Sequence, residues 1–152
     1  MSDLRSEANR RMIVIFDLDG TLALTDHRAH FLNREKKDWR AFYAACDKDE
    51  PCHPIIRTLL ALYVTGADCR IWSGRSEEVL EKTVHWLASH GLGMVPVKMR
   101  EEGDHRPDTV LKKEWLDDLG QKPSLIFEDR ASVVAMWREN GIVCAQVAPG
   151  DF

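Results

Sequence analysis

Residues 12–16 read Met-Ile-Val-Ile-Phe and stop abruptly at Asp17. A short apolar run rich in β-branched residues is the pattern of a strand buried on both faces of a parallel sheet. The pattern recurs at Cys69–Trp72 (before Ser73-Gly74-Arg75), Met94–Met99, Leu125–Phe127 (before Glu128-Asp129) and Ile142–Val147. Between these runs lie segments with helical spacing. Pro54–Thr65 closes at Gly66, and Ser76–His90 opens with serine and two glutamates and closes at Gly91. Pro107–Leu119 and Ala131–Asn140 end at Gly120 and Gly141. Serine or acid at the start and glycine at the stop are helix boundary signals. The alternation predicts an α/β, three-layer, Rossmann-like fold: a central parallel sheet with helices on both faces.

Residues 23–52 break the alternation. They concentrate His27, Arg28, His30, Phe31, Trp39, Phe42 and Tyr43, with one predicted helix at Lys37–Ala45. About thirty residues are too few for an independent core. The chain is therefore read as a single domain over 1–152, with 23–52 a small helical cap inserted after the first strand, over the mouth of any site. Met1–Arg11 is polar and charged, and reads as a short frayed leader rather than a secretory signal. No apolar run is long enough to span a bilayer, so no membrane association is expected. The four cysteines (46, 52, 69 and 144) have no paired spacing. Cys46, Cys52 and His53 read as a surface helix and turn rather than a metal site, and a reducing cytoplasm is the expected location. A net charge of -4 argues against gripping long nucleic acid by an overall field, but leaves room for a small basic site at a strand end.

Ligands of such sheets bind beyond the carboxyl ends of the strands. There the sequence places Asp17 and Asp19, then Ser73 and Arg75, then Glu128, Asp129 and Arg130. Two aspartates so close together raise one pKa or recruit a cation. Magnesium suits them, as a hard ion that takes carboxylate and phosphate oxygens. Gly20 permits a sharp turn, and Thr21 offers a hydroxyl and an amide to an anion. Alone, Asp-x-Asp-Gly reads better as an Asx-type turn at a strand end.

Four segments in order resemble the motifs of the haloacid dehalogenase superfamily of aspartate-nucleophile phosphatases: Ile13–Leu22, Ile71–Arg75, Asp108–Lys112 and Ile126–Arg130. The resemblance implies that Asp17 attacks phosphorus and forms an aspartyl-phosphate, and that Asp19 is the general acid and base. It also implies that Ser73 and Lys112 bind the phosphoryl oxygens. The implied magnesium ligands are Asp17, Asp19 (through its carbonyl) and Asp129. Glu128 stands where aspartate is usual, and is expected near the metal or acting through water. Lys112 rather than Lys113 is favoured because it lies four residues after Asp108, on the same helical face.

Longer stretches resemble the 3′-phosphatase domain of phage polynucleotide kinase. They are His27-Arg28, Ser73-Gly74-Arg75, Met99–Asp108, Glu128–Arg138 and Gln146–Phe152, and the likeness runs from Met12 to the last residue. It implies substrate-binding roles for Arg28, Gly74, Arg75 and Asp108. A guanidinium suits phosphate through its planar fork of donors. It also implies 3′-phosphorylated DNA or RNA ends as substrate, with a separate kinase or ligase as partner. No Gly-x-x-x-x-Gly-Lys-Ser/Thr loop is present, so these residues are expected to have no kinase activity. Arg100, Arg106 and Arg130 are read mainly as solvated surface. The alternative is a small-molecule phosphatase such as a nucleotidase, using the same residues. A non-catalytic binding module would be expected to have lost Asp17, Asp19 or the lysine.

Overall fold

The computed structural model describes residues 11–151. The expected leader over Met1–Arg11 therefore lies, up to residue 10, outside the described residues. Five strands form one sheet: β1 (Ile13–Phe16), β4 (Asp68–Ser76), β5 (Val97–Arg100), β6 (Leu125–Glu128) and β7 (Cys144–Gln146). Their order is β5-β4-β1-β6-β7, and every neighbouring pair is parallel. The first strand thus sits at the centre, and all four of its residues are buried, as a run without polar alternation requires.

The side chains of β1 divide between two cores. Val14 and Phe16 face one side with Ile56 and Leu59 of α2 (His53–Val64) and Trp86 and Leu87 of α3 (Leu80–Ser89). Ile13 and Ile15 face the other, with Leu111 and Trp115 of α4 (Asp108–Leu119) and Val133 and Trp137 of α5 (Ala131–Glu139). This is the predicted three-layer α/β architecture. Among the described residues no helix is long and apolar enough to cross a membrane.

Two local departures matter for the site. The second predicted strand was expected to end at Trp72, yet β4 continues through Ser73, Gly74 and Arg75 to Ser76. Its register against β5 shifts between Ser73 and Ser76, so the strand bends over the sheet edge while still paired. The second departure is a two-residue antiparallel pair, β2 (Ala23–Leu24) with β3 (Glu50–Pro51). It closes the base of segment 23–52 and draws both ends of the segment together over β1. Between them lie a 3-10 turn at Asp26–Phe31, the short helix α1 (Trp39–Ala44) and a second 3-10 turn at Cys46–Lys48. Cys46 is not on the surface; it is fully buried, against Val79 and Met99.

Candidate active site

The chain leaves β1 through a tight loop in which Leu18 O accepts the amides of Thr21, Leu22 and Ala23. Gly20 turns it, with φ +80°, and a Cβ there would stand 2.0 Å from Asp129 Oδ2. Glycine is thus needed both for the backbone conformation and for the close approach of the acidic strand end. The amide of Thr21 is spent in this loop, while its buried hydroxyl has no partner among the described residues.

Asp17 lies at the centre. Its Oδ1 accepts from Lys112 Nζ at 2.8 Å, and the same ammonium donates to Glu128 Oε2 at 2.8 Å. The apolar face of α4 docks this lysine on the sheet, while Lys113 points outward and pairs with Asp117. Glu128 Oε1 accepts the amides of Asp129 and Arg130. Both glutamate oxygens are therefore engaged by protein donors.

Ligand atoms of Asp17, Glu128 and Asp129 lie within 4.8 Å of one another. Three buried carboxylates face one ammonium, so the cluster carries excess negative charge. Burial, reinforced by Glu128, pushes Asp17 up to about 8, and burial with Asp17 pushes Asp129 up to about 7. Burial by itself would lower Lys112, but Asp17 and Glu128 hold it well above its ordinary value. An oxygen-only donor set with uncompensated charge fits a hard divalent cation.

Asp19 belongs to a different cluster. Its Oδ1 accepts from Arg28 Nη2 at 2.6 Å and from Arg75 Nε and Nη2 at 2.9 and 2.7 Å. Both arginines also bond Asp49: Arg28 through Nε at 2.8 Å and Nη2 at 2.6 Å, and Arg75 through Nη2 at 2.8 Å. Arg28 lies over the Phe42 ring, 4.2 Å from its centroid, and donates to Phe42 O. Arg75 Nη1 donates to Thr83 Oγ1. Burial would raise Asp19, but Arg75 and Arg28 outweigh it and hold the carboxyl below its ordinary value. Among the described residues no hydrogen bond reaches Asp19 Oδ2.

Sequence reasoning missed Asp49. Its side chain is fully buried, and it is the only carboxylate besides Asp19 that these two guanidiniums meet among the described residues. The β2–β3 pair holds it in place, with its carbonyl accepting from Trp86 Nε1 at 2.8 Å. The available signal was an aspartate just ahead of Glu50-Pro51, too common a pattern to stand out.

The remaining residues form one wall. Ser73 is buried, and its Oγ accepts the Arg75 amide. Gly74 packs on Asp108, whose Oδ1 would lie 2.7 Å from a Cβ at that position. Asp108 bridges Arg100 and Arg130. Arg100 is buried rather than solvated, because the turn after β5 folds back over it. Gly74 O accepts from Arg100 Nε at 2.9 Å and from the Tyr43 hydroxyl at 3.3 Å. Burial and Asp108 push the Tyr43 phenol up to about 12, so it serves as a neutral donor. Asp108 thus joins Gly74 to two arginines and stands apart from the Asp19 cluster.

The model of the polynucleotide kinase PNKP phosphatase domain matches residues 11–152. A chain of the Pnkp1/Rnl/Hen1 RNA repair complex superposes with a TM-score of 0.80 at 31% identity, covering 92% of this chain and 43% of that one. A second structure of that complex gives 0.77 at 32% identity, covering 95% and 48%. The chain therefore spans less than half the length of these two relatives. The class C acid phosphatase from Bacillus anthracis shares the fold, with a TM-score of 0.64 at 19% identity, covering 86% and 56%.

Two outcomes follow from the two clusters. Asp17 and Asp129 bind protons more tightly folded than unfolded, so their contribution to stability is full below about pH 4 and is lost as pH rises through about 7 to 8. In chelator the melting temperature should fall from pH 6 to pH 8.5, and magnesium should restore it most at the alkaline end; Asp129→Asn should flatten both effects in calorimetry. Asp49→Ala leaves two buried guanidiniums to share the single carboxylate of Asp19 and should cost about 3–5 kcal/mol in urea unfolding.

Proposed function

Since the chain belongs to the family of polynucleotide kinase PNKP phosphatase domains, we propose that it is a magnesium-dependent phosphomonoester hydrolase that removes the terminal 3′ phosphate of a polynucleotide. The observation that carries the chemistry is the division between the two aspartates. Asp17 faces an ammonium and an acidic cluster, whereas Asp19, two residues on, is tied by one oxygen to two guanidiniums.

In this reading Asp17 attacks phosphorus, the bond to the 3′ oxygen breaks, and Asp19 Oδ2 gives that oxygen a proton. Asp19 then takes a proton from water, which attacks the aspartyl-phosphate, releases inorganic phosphate and regenerates Asp17. Arg28, Arg75 and Asp49 set the angle of Asp19, and their burial favours positioning over direct contact with phosphate. An arriving phosphate dianion opposes the pull of the arginines and favours the protonated Asp19 that the first step needs. Lys112 and Ser73 are the donors for the non-bridging oxygens. Asp17, Asp129 and the Asp19 carbonyl would hold magnesium, which supplies charge neutralisation on those oxygens. Glu128 seats Lys112 and would act on the metal from nearby or through water.

The substrate class rests on the family and on the likeness to chains of an RNA repair complex. A kinase or ligase acting on the same ends is the partner this reading calls for. The four cysteines are unpaired, which suits a reducing compartment such as the cytoplasm. Turnover of a 3′-phosphorylated oligonucleotide should exceed that of 3′- and 5′-mononucleotides, and Asp17→Asn should lower it by roughly 10³-fold or more. Preference for 5′-mononucleotides would instead identify a nucleotidase.

A further inference from the structure

The cap carries charge that the catalytic chemistry does not use. Residues 34–40 read Arg-Glu-Lys-Lys-Asp-Trp-Arg, four cations against two carboxylates in a chain of net charge -4. Arg34, Lys36, Lys37 and Arg40 stand on the outer side of the cap, and among the described residues none of them enters an ion pair. Asp38, one of the two carboxylates, caps the amide of Ala41 instead.

Aromatic side chains run through the same patch. Trp39 is 43% exposed, unusually open for so large a ring. It lies four residues before Tyr43 on α1, so both rings share a face, with centroids 5.9 Å apart. Tyr43 in turn reaches Gly74 O, beside Ser73. Lys37 sits over the Trp39 ring, 5.8 Å from its centroid. A trail of aromatic faces and cations therefore runs from the edge of the catalytic centre to the outside of the cap.

Aromatic faces interleaved with lysine and arginine are the chemistry that holds single strands: bases stack on rings while cations follow the phosphates. We propose that the cap face formed by Arg34, Lys36, Lys37, Trp39, Arg40 and Tyr43 is a single-strand binding track for the nucleotides on the 5′ side of the scissile phosphate. It rests on the polynucleotide reading above and adds to it where the strand lies. Charge complementarity favours a nucleic acid over a protein at this face, since a protein partner would need a matching acidic surface and would gain nothing from proximity to Ser73. Stacking supplies affinity without sequence preference, as end repair requires.

The test compares a 3′-phosphorylated decanucleotide with the matching 3′-mononucleotide, on the wild-type chain, on Trp39→Ala and on the triple variant Arg34→Ala/Lys37→Ala/Arg40→Ala. Trp39→Ala should raise KM for the decanucleotide about tenfold, with kcat within about twofold, and should shrink the ratio between the two substrates to match. The triple variant should lower the slope of log KM against log salt for the decanucleotide by about 0.7 for each phosphate it no longer neutralises. These side chains lie on the outside of the cap, so circular dichroism should show both variants folded. A wild-type preference for the decanucleotide that survives both variants would overturn the track alone and leave the patch to a protein partner. A wild-type chain indifferent to the decanucleotide would remove the polynucleotide reading and the track together.

Discussion

One ammonium group holds the centre of this molecule together. Lys112 Nζ stands 2.8 Å from Asp17, just past the central strand, and 2.8 Å from Glu128 on the next, almost wholly out of water. The three residues come from α4, the end of β1 and β6, with Lys112 lying 95 residues after Asp17 in sequence. A buried pair of this kind gives little net stability, because desolvation offsets its attraction. What it does give is geometry. The lysine can reach both carboxylates only if Leu111, Trp115 and Leu116 have docked α4 on the second face of the sheet. Correct packing of the core and correct assembly of the site are therefore one event.

Around that pair the sheet edge separates two electrostatic regions that share a single short loop. On one side carboxylates outnumber cations, and Asp17 and Asp129 are pushed upward. On the other, two guanidiniums meet two carboxylates, and Asp19 is pulled downward. Opposite environments for neighbouring acids are how a site assigns different tasks to the same side chain. The boundary depends on Gly20, because no other residue would let Asp129 come so close to the loop.

Much of this is legible in the amino-acid sequence. Strand β1, the helices that follow, and the gathering of Asp17, Asp19, Ser73 and Asp129 at one edge follow from periodicity and from the rule that strands present their carboxyl ends to ligands. The choice of Lys112 over Lys113 follows from helical spacing. What is hidden depends on tertiary placement. Asp49 becomes central only because two residues pair with two others at the base of the cap. Arg28 and Arg75 read as phosphate grips because arginine usually is one; their full burial against Asp19 and Asp49 has no signature in local sequence. Strand β4 outlasts its apolar run because its pairing with β5 resumes after the bulge at the site.

The burial of those two arginines bears on how a substrate is held. Guanidiniums locked to Asp19 and Asp49 have few donors left for a ligand, and Asp108 already engages Arg100 and Arg130. In the proposed mechanism Ser73, Lys112 and Asp19 Oδ2 meet the phosphoryl group. Three groups can orient that one charged moiety, but they say little about what it is attached to. In that reading affinity for the rest of a substrate arises outside the centre, and the proposed track on the cap offers exposed cations and rings for it. The same segment that turns Arg28 and Asp49 inward against Asp19 turns Arg34, Lys37, Trp39 and Arg40 outward. Segment 23–52 thus carries both sets of residues, and the β2–β3 pair at its base adjoins Asp49.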